Sequence, residues 1–455
     1  MSWPTSGRVA DDPLATVHSR AMRLLPYFIF ASLAWAQTPL PIRPTVIRAL
    51  RLFDGKGETL ISPAIIVVEG NRITGVGSTL AVPADAIVVD LGDATLMPGF
   101  MDAHTHLSME YPVDFNQTDL NNLRLSIAER ALRRIPDVKA TLMSGFTTVR
   151  DLGGDDFIAV GLRNAINAKT IQGPRMLVAV NAIGSTGGHC DNLAGFRFNL
   201  FGRESGIPDG VADSPAEFRK AVRYAVKYGA DVIKTCATGG VLSQTDEVDT
   251  PQLTQEELNA LVDEAHALRK KAAAHAHGAE GAKRAIRAGI DSIEHGSFLD
   301  SEALDLMKQR NTVLVPTLMA TRGLRERIRA GLYLPPQIKA KAEAAMAAIE
   351  NAVRMTVAKN VRIGLGTDTS VYPYPRAAEE FAELVRYGVK PIDALRAGTS
   401  VDAELLGVAD RLGSLAIGKT ADIVAVPGNP LLDIQVTERV FFVMKEGEIF
   451  RNDKH

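Results

Sequence analysis

The stretch LMPGFMDAHTHLS, from Leu96 to Ser108, places two histidines one residue apart directly after an apolar run. Residues two positions apart on a β-strand point to the same side, so His104 and His106 could together bind one ion. The pattern alone is weak evidence for a metal site, because two hydrogen-bonded histidines near the end of a sheet give the same sequence. Residues elsewhere in the chain are needed to distinguish a metal site from a pair of hydrogen-bonded histidines.

Seven more apolar segments follow this stretch, and most of them carry polar residues at their C-terminal ends. Helical patterns separate them, the clearest over residues 254–271, where Thr254 and Glu257 form a capping box. Eight strand–helix units predict an α/β fold of the (β/α)₈, TIM-like barrel type. The seven segments are TTVRDLGG, RMLVAV, ADVIKTCATGG, KAAAHAHG, DSIEHGS, TVLVPTL and RIGLGTDTS.

The two ends of the chain differ from this middle part, since both are rich in short β-strand patterns punctuated by glycine. In the first of them, Asp54-Gly55 and Gly70-Asn71 are typical of hairpin turns. The patterns predict a small β-sandwich formed by both chain ends. We expect its first part over residues 44–98, the barrel over 99–409 and the second part over 410–455, so that MPGF marks the entry into the barrel.

Polar residues at the C-terminal ends of barrel strands face the mouth of the barrel, where active sites lie. Five of the nine histidines fall at such positions. Imidazole nitrogen and carboxylate oxygen are ligands that suit zinc and its neighbours in the first transition row. The predicted strand-end residues are His104, His106, Lys234, His275, His277, His295 and Asp368.

Lys234 is unusual in this set, because a charged lysine would repel a bound cation. One interpretation is that it pairs with a carboxylate, as buried charges usually do. The other is that it is neutral and carries CO₂ as a carbamate, which would be an anionic ligand able to bridge two metal ions. The residues around Lys234 leave both interpretations open.

Five motifs of the chain, and the order in which they occur, resemble those of the amidohydrolase superfamily. The resemblance covers nearly all of the chain after its N-terminal extension. Within that superfamily the sequence is most similar to the branch of binuclear-metal Xaa-Pro dipeptidases, or prolidases. That branch also contains enzymes that hydrolyse the amide of ochratoxin A. The motifs are PGFMDAHTH, DVIKTCATGG, AAHAHG, SIEHGS and GLGTDTS.

The resemblance implies two divalent metal ions, which we expect to be Zn²⁺, and attack of a hydroxide that bridges them on an amide carbonyl. His104 and His106 would bind the more buried ion, and His275 and His295 the second ion. Lys234, as a carboxylated lysine, would bridge both. Asp368 would contact the first ion and take a proton from the bridging water.

Two further histidines are candidates for catalysis or substrate binding. His277 points to the same side of its strand as His275, and we interpret it as a group that contacts the substrate, although the roles of the two could be exchanged. His189 lies in the glycine-rich loop GSTGGHCDN. It could contact a substrate carboxylate or an oxyanion, or it could face solvent.

The leading functional prediction is a metal-dependent hydrolase of amide C–N bonds in dipeptide-like or N-acyl amino acid substrates, such as Xaa-Pro dipeptides or ochratoxin A. A cyclic amidohydrolase that resembles imidazolonepropionase is the second hypothesis. Lys234 argues against a deaminase, because deaminase-like members of the superfamily lack the lysine on the fourth strand. A catalytically silent barrel scaffold is the third hypothesis, and metal analysis would separate it from the other two.

The overall composition narrows the range of partners. A net charge of −2 gives no indication of nucleic acid or of an anionic membrane, and the expected partner is a small amide substrate. The two cysteines, Cys190 and Cys236, form no CxxC pattern, which disfavours a zinc–cysteine module and leaves a disulfide open. The family resemblance also implies a homo-oligomer.

The N-terminal residues 1–36 are predicted to be an extension with a signal peptide over 22–36. Met22-Arg23 is a short basic start, an apolar run follows, and Ala34-Trp35-Ala36 is a small-x-small cleavage pattern. This anatomy predicts a periplasmic or secreted protein, and without such a signal the expectation would be cytoplasmic. No later segment has the pattern of a membrane span.

Overall fold

The structure is a computed structural model, and it describes residues 43–111 and 115–453. The predicted signal peptide therefore lies outside the described residues. No helix within these two ranges is long and apolar enough to cross a membrane.

The described residues contain seventeen β-strands. In chain order they are β1 Thr45–Ala49, β2 Arg51–Leu52, β3 Ala64–Glu69, β4 Arg72–Gly77, β5 Ile87–Asp90, β6 Ala94–Pro98, β7 Phe100–Thr105, β8 Phe146–Asp151, β9 Arg175–Val178, β10 Ala182–Ile183, β11 Val232–Cys236, β12 Lys271–Gly278, β13 Ser292–Phe298, β14 Val313–Val315, β15 Ile423–Pro427, β16 Phe442–Lys445 and β17 Glu448–Asn452.

In the same described residues, twelve α-helices alternate with the middle strands or follow them. They are α1 Phe115–Arg124, α2 Ile127–Met143, α3 Ile158–Asn167, α4 Pro215–Lys227, α5 Gln255–Ala267, α6 Ala279–Ala288, α7 Ser301–Arg310, α8 Leu318–Arg329, α9 Pro336–Ala358, α10 Glu379–Arg386, α11 Pro391–Arg396 and α12 Asp402–Leu405.

The predicted helix over 254–271 is α5, and the capping box of Thr254 and Glu257 is present at its start. The helix ends earlier than predicted, at Ala267, and Lys271 already belongs to β12. The left-handed backbone of Arg269, with φ 55°, turns the chain out of the helix at this point.

A β-sandwich is built from both ends of the chain, as the sequence predicted. One sheet has the strand order β4-β3-β1-β5, and Gly70 lies in the turn of its β3–β4 hairpin with φ 58°. The hairpin turn predicted at Asp54-Gly55 is wrong, because this pair lies in the long loop between β2 and β3, which belong to different sheets. The other has the order β17-β16-β15-β6-β2, in which the early strand β6 pairs antiparallel with the late strand β15. The sheets share an apolar core that includes Ile66, Leu96 and Phe442. The domain boundaries themselves remain predictions.

The middle of the chain is the predicted (β/α)₈ barrel. Parallel ladders join β7-β8-β9 and β10 to β14, and β9 and β10 are successive segments of the third barrel strand. The extended segment 361–369 is the eighth strand. The amide of Gly364 donates to the Leu314 carbonyl at 2.9 Å on one side, and the Ala103 amide donates to the Leu365 carbonyl at 2.8 Å on the other. These two bonds close the barrel between β14 and β7.

Candidate metal centre

The first predicted strand brings its two histidines together with the carboxylate at the end of the eighth. His104 Nε2 lies 3.3 Å from His106 Nε2. Asp368 Oδ1 lies 3.6 Å from the former nitrogen and 3.3 Å from the latter. We call these three residues the Asp368 group. Ligand atoms about 2.0–2.2 Å from a tetrahedral zinc ion lie about 3.3–3.6 Å from one another, so the spacing fits such an ion.

Hydrogen bonds fix the tautomers of both histidines in this group. His104 Nδ1 donates to Glu294 Oε2 at 2.9 Å, and His106 Nδ1 donates to the Gly153 carbonyl at 2.7 Å. Both partners can only accept, so both Nε2 atoms carry lone pairs. Two lone pairs and a carboxylate oxygen that face one another repel unless a cation lies between them. The donor set of the Asp368 group therefore fits a divalent metal ion.

Burial supports the neutral form of His104 that a metal ligand requires. Loss of solvation lowers the pKa of His104 well below its ordinary value, and the charge of Lys234 adds to this effect. Burial raises the pKa of Asp368, while His106 and Lys234 act in the opposite direction through their charges. The arrangement thus holds an imidazole that stays unprotonated next to a carboxylate that is unusually basic.

A second cluster lies on the neighbouring strands β12 and β13. One ring nitrogen from each of His275, His277 and His295 lies within 4.8 Å of the others, and all three side chains are buried. We call these residues the three-histidine group. The rings of His104 and His295 have centroids 5.1 Å apart, so the two groups are adjacent.

Each member of the three-histidine group uses one nitrogen for a hydrogen bond and keeps the other for a ligand. His275 Nε2 donates to the Gly239 carbonyl at 3.1 Å. His277 Nδ1 lies 2.8 Å from the Ser297 hydroxyl, and His295 Nδ1 lies 2.8 Å from the Thr317 hydroxyl. The geometry therefore makes all three available as ligands, and it leaves the choice between His275 and His277 open.

Lys234 lies on β11, buried to 3% exposure. Burial lowers the pKa of Lys234 to about 8, although Glu294 and Asp368 favour its charged form through their negative charges. A lysine with a pKa of about 8 is neutral in about one molecule in ten at pH 7, far more often than an ordinary lysine, and the neutral amine is the form that reacts with CO₂.

Three residues around the centre have a left-handed backbone conformation, which residues other than glycine rarely adopt. The φ angles are 71° for His295, 55° for Asp368 and 49° for Thr317. Strain of this kind costs about 1–3 kcal/mol per residue and clusters at functional sites. Here it falls on one member of each group and on the hydroxyl partner of His295.

His189 lies against the centre, half-buried, with its ring centroid 4.2 Å from that of His275. Its Nδ1 is 3.0 Å from the Ser243 hydroxyl. Burial lowers the pKa of His189 to about 4. The glycine at position 240 makes this packing possible, because a Cβ there would lie 2.2 Å from the His189 ring.

Sequence reasoning missed the residues that support the ligands. Glu294, fully buried, accepts from His104 Nδ1 and also from Arg150 Nη2 at 2.9 Å. Both residues lie inside segments already picked out, SIEHGS and TTVRDLGG. A buried charge next to a predicted ligand was the available signal, since metal-binding histidines usually donate their second nitrogen to a carboxylate or carbonyl.

The chain belongs to the amidohydrolase family, whose model matches residues 95–450. It is 32% identical to ochratoxinase of Aspergillus niger over 426 residues. This match covers 90% of this chain and 86% of that protein. The family and the sandwich-plus-barrel architecture agree with the resemblance seen in the motifs.

The solved structures that are similar over the same part of the chain include the following two. A Xaa-Pro dipeptidase with bound methionine in its active site has 38% sequence identity and a TM-score of 0.86, covering 90% of this chain and 100% of that one. A prolidase complexed with N-methylphosphonate-L-proline has 31% identity and a TM-score of 0.80, with the same coverage. This chain is therefore a hydrolase of a family that acts on amide bonds.

Proposed function

We propose that this amidohydrolase cleaves the amide bond of dipeptide-like or N-acyl amino acid substrates with two bound divalent ions. The observation that carries the proposal is the convergence of His104 Nε2, His106 Nε2 and Asp368 Oδ1 at 3.3–3.6 Å from one another. Zinc is the ion we propose, because nitrogen and carboxylate ligands at tetrahedral spacing suit it.

The Asp368 group would hold the first ion, and His275 and His295 the second. Lys234, as a carbamate, would be the anionic ligand shared between them. When bound, such a pair of ions lowers the pKa of water and polarises an amide carbonyl.

Asp368 is the residue that moves the proton. Its Oδ1 faces the two histidines, so its other oxygen remains to accept a proton from the attacking water. Burial raises the pKa of this carboxyl, and a more basic carboxylate accepts the proton more readily. The protonated carboxyl then donates to the amide nitrogen as it leaves.

His277 and His189 are proposed as the residues that hold the substrate. Both are packed against His275, with ring centroids 4.8 and 4.2 Å away. Each commits its Nδ1 to a serine hydroxyl, which leaves Nε2 for a substrate oxygen, carboxylate or developing oxyanion.

A substrate panel tests the proposal. Purified protein loaded with Zn²⁺ is assayed on Xaa-Pro and Xaa-Arg dipeptides, an N-acyl-phenylalanine, ochratoxin A and a cyclic amide. We expect turnover of at least one linear amide, loss of that turnover with a chelator, and its return with added zinc. Asp368→Asn, prepared in parallel, controls for host peptidases. Turnover of the cyclic amide alone would favour the imidazolonepropionase-like alternative. No turnover, with no bound metal after reloading, would support a silent scaffold.

The carbamate has a separate test. We expect the electron density of metal-loaded crystals to show a carboxyl group on Lys234 Nζ, and Lys234→Met to lose bound metal. Lys339→Met, at an exposed position, is the matched control. A plain lysine in a fully active and metal-loaded enzyme would contradict the bridging role.

We further propose that the protein is exported. Cys190 and Cys236 form a disulfide with Cα atoms 5.9 Å apart, and disulfides persist in oxidising compartments. Expression with the native leader should give a mature chain that begins after Ala36, as read by N-terminal sequencing. An uncleaved cytoplasmic chain would contradict export. The predicted homo-oligomer is tested on the same material by sedimentation.

A further inference from the structure

A buried lysine outside the proposed metal centre ends at the loop that follows β11. Lys341, on α9, is 5% exposed. Its ammonium donates to the carbonyls of Gly240, Ser243 and Asp246 at 2.8, 2.6 and 3.0 Å, and it lies 3.0 Å from Asp246 Oδ1. The ammonium is thus fully committed to protein acceptors, and its charge is balanced by one carboxylate.

Asp246, which pairs with Lys341, also forms hydrogen bonds with Ser243. The Ser243 hydroxyl lies 2.7 and 2.8 Å from the two carboxylate oxygens of Asp246. Since the carboxylate can only accept, the single hydroxyl hydrogen of Ser243 is donated to it. The carboxylate is further held by Gln252 Nε2 at 3.0 Å and the Gly240 amide at 3.3 Å.

The direction of the Ser243–Asp246 hydrogen bond determines the direction of the bond between Ser243 and His189. With its hydrogen donated to Asp246, the Ser243 hydroxyl is an acceptor toward His189 Nδ1, 3.0 Å away. Nδ1 of His189 must therefore carry a hydrogen, and Nε2 is the nitrogen left for a ligand. Gln252 supports the same loop from its other side, because its Oε1 accepts from the His189 amide at 3.0 Å.

We propose that Lys341, Asp246 and Ser243 are positioning residues that act through His189, which they hold in one orientation and with Nδ1 protonated. This inference rests on the proposed amide hydrolysis for its kinetic effect. It connects the loops after the third and fourth barrel strands with helix α9, which follows the seventh. The Cys190–Cys236 disulfide joins the first of these loops to the end of β11, next to His189.

A double-mutant series tests the chain of contacts. Ser243→Ala should lower kcat/KM on the substrate that the panel identifies by about 2–10-fold, the effect of one neutral hydrogen bond. Asp246→Asn should lower it by about 10–100-fold, because its bonds are charge-assisted. In a His189→Ala background both substitutions should change kcat/KM by less than about 2-fold, since residues that act through one group lose their separate effects.

Lys341→Met removes the charge that balances Asp246, and Lys339→Met is its matched control on the same helix. Metal content and melting temperature are measured for every variant. If Lys341→Met fails to fold, Ser243→Ala still tests the proposal, because it leaves the Lys341–Asp246 pair in place. Equal losses in the wild-type and His189→Ala backgrounds would show a merely structural role and overturn the proposal.

A second readout does not depend on activity. The ring nitrogens of the nine histidines are observed by ¹⁵N NMR of the metal-loaded protein, and His189 is assigned by its absence in His189→Ala. We expect Nδ1 of His189 to be protonated in the wild type, and its signal to change in Ser243→Ala. An unprotonated Nδ1 in the wild type would overturn the inference. Absence of any amide turnover would instead overturn the proposed function, and the NMR result would still stand.

Discussion

The Asp368 group and the three-histidine group lie side by side, yet they are built differently. In the Asp368 group, one carboxylate oxygen and two nitrogens lie within 3.6 Å of one another. In the three-histidine group, the candidate ligand atoms are three imidazole nitrogens and no carboxylate oxygen. One group carries its own negative charge, whereas the other has none, and in the proposed centre a carbamate on Lys234 would supply it.

The hydrogen-bond partners of the histidines also differ between the two groups. The histidines of the Asp368 group donate to a carboxylate and a carbonyl, which can only accept. Two members of the three-histidine group bond to hydroxyls of Ser297 and Thr317, which can either donate or accept. A fixed tautomer and an anionic ligand both favour metal binding, so we expect the Asp368 group to hold its ion more tightly.

The largest effect is expected from Asp368→Asn. The amide keeps an oxygen toward the two histidines but cannot accept a proton at its other atom. We expect most of the metal to remain and turnover to fall by about 10²–10⁴, the contribution of a positioned proton acceptor. Steady-state kinetics and metal analysis on one preparation check this result. Asp305→Asn, an exposed site, is the control. Near-normal turnover would remove Asp368 from the role of base.

The next prediction separates the two histidines on β12. His275→Asn should reduce the metal content from about two ions per chain to about one, because it removes a ligand of the second ion. His277→Asn should keep about two ions and lower turnover. Metal analysis decides between them. The reverse pattern would exchange the roles of the two residues.

Glu294→Gln tests whether the carboxylate that accepts from His104 strengthens metal binding in the Asp368 group. Loss of the carboxylate behind His104 should weaken metal binding in the Asp368 group by about 10–100-fold, the usual effect of such partners. In the wild type we expect a chelator to remove the ions in two steps, and in the variant the steps should merge. Glu302→Gln, on the surface, is the control. Two unchanged steps in Glu294→Gln would show that the charge is not what makes this group tighter.

The smallest effect is expected for the hydroxyl partner of His295. Thr317→Ala should weaken metal binding in the three-histidine group by about 2–10-fold, because one neutral hydrogen bond is lost. Thr254→Ala is the control. It removes the cap of α5 and should lower the free energy of unfolding by about 1 kcal/mol without a change in metal affinity. A loss as large as that of Glu294→Gln would remove the difference between the two groups.

Much of the fold could be predicted because strand and helix periodicities are local. The eight barrel strands, the capping box at Thr254 and the sandwich from both chain ends all follow from such patterns, and the structure confirms them. The end of α5 could not be predicted, because the left-handed turn at Arg269 has no glycine to mark it. The disulfide has no local signal in the sequence, since its two cysteines are 46 residues apart and only the fold brings them together.

The candidate ligands follow from local sequence patterns alone, because a parallel barrel brings the C-terminal ends of all its strands to one mouth. The orientation of each ligand depends on contacts between residues that are distant in the chain. Glu294 reaches His104 across 190 residues, and Lys341 reaches the loop beside His189 across about 100. No local pattern encodes such partners, because a buried carboxylate or lysine is specified only by the charge it must balance in the folded protein.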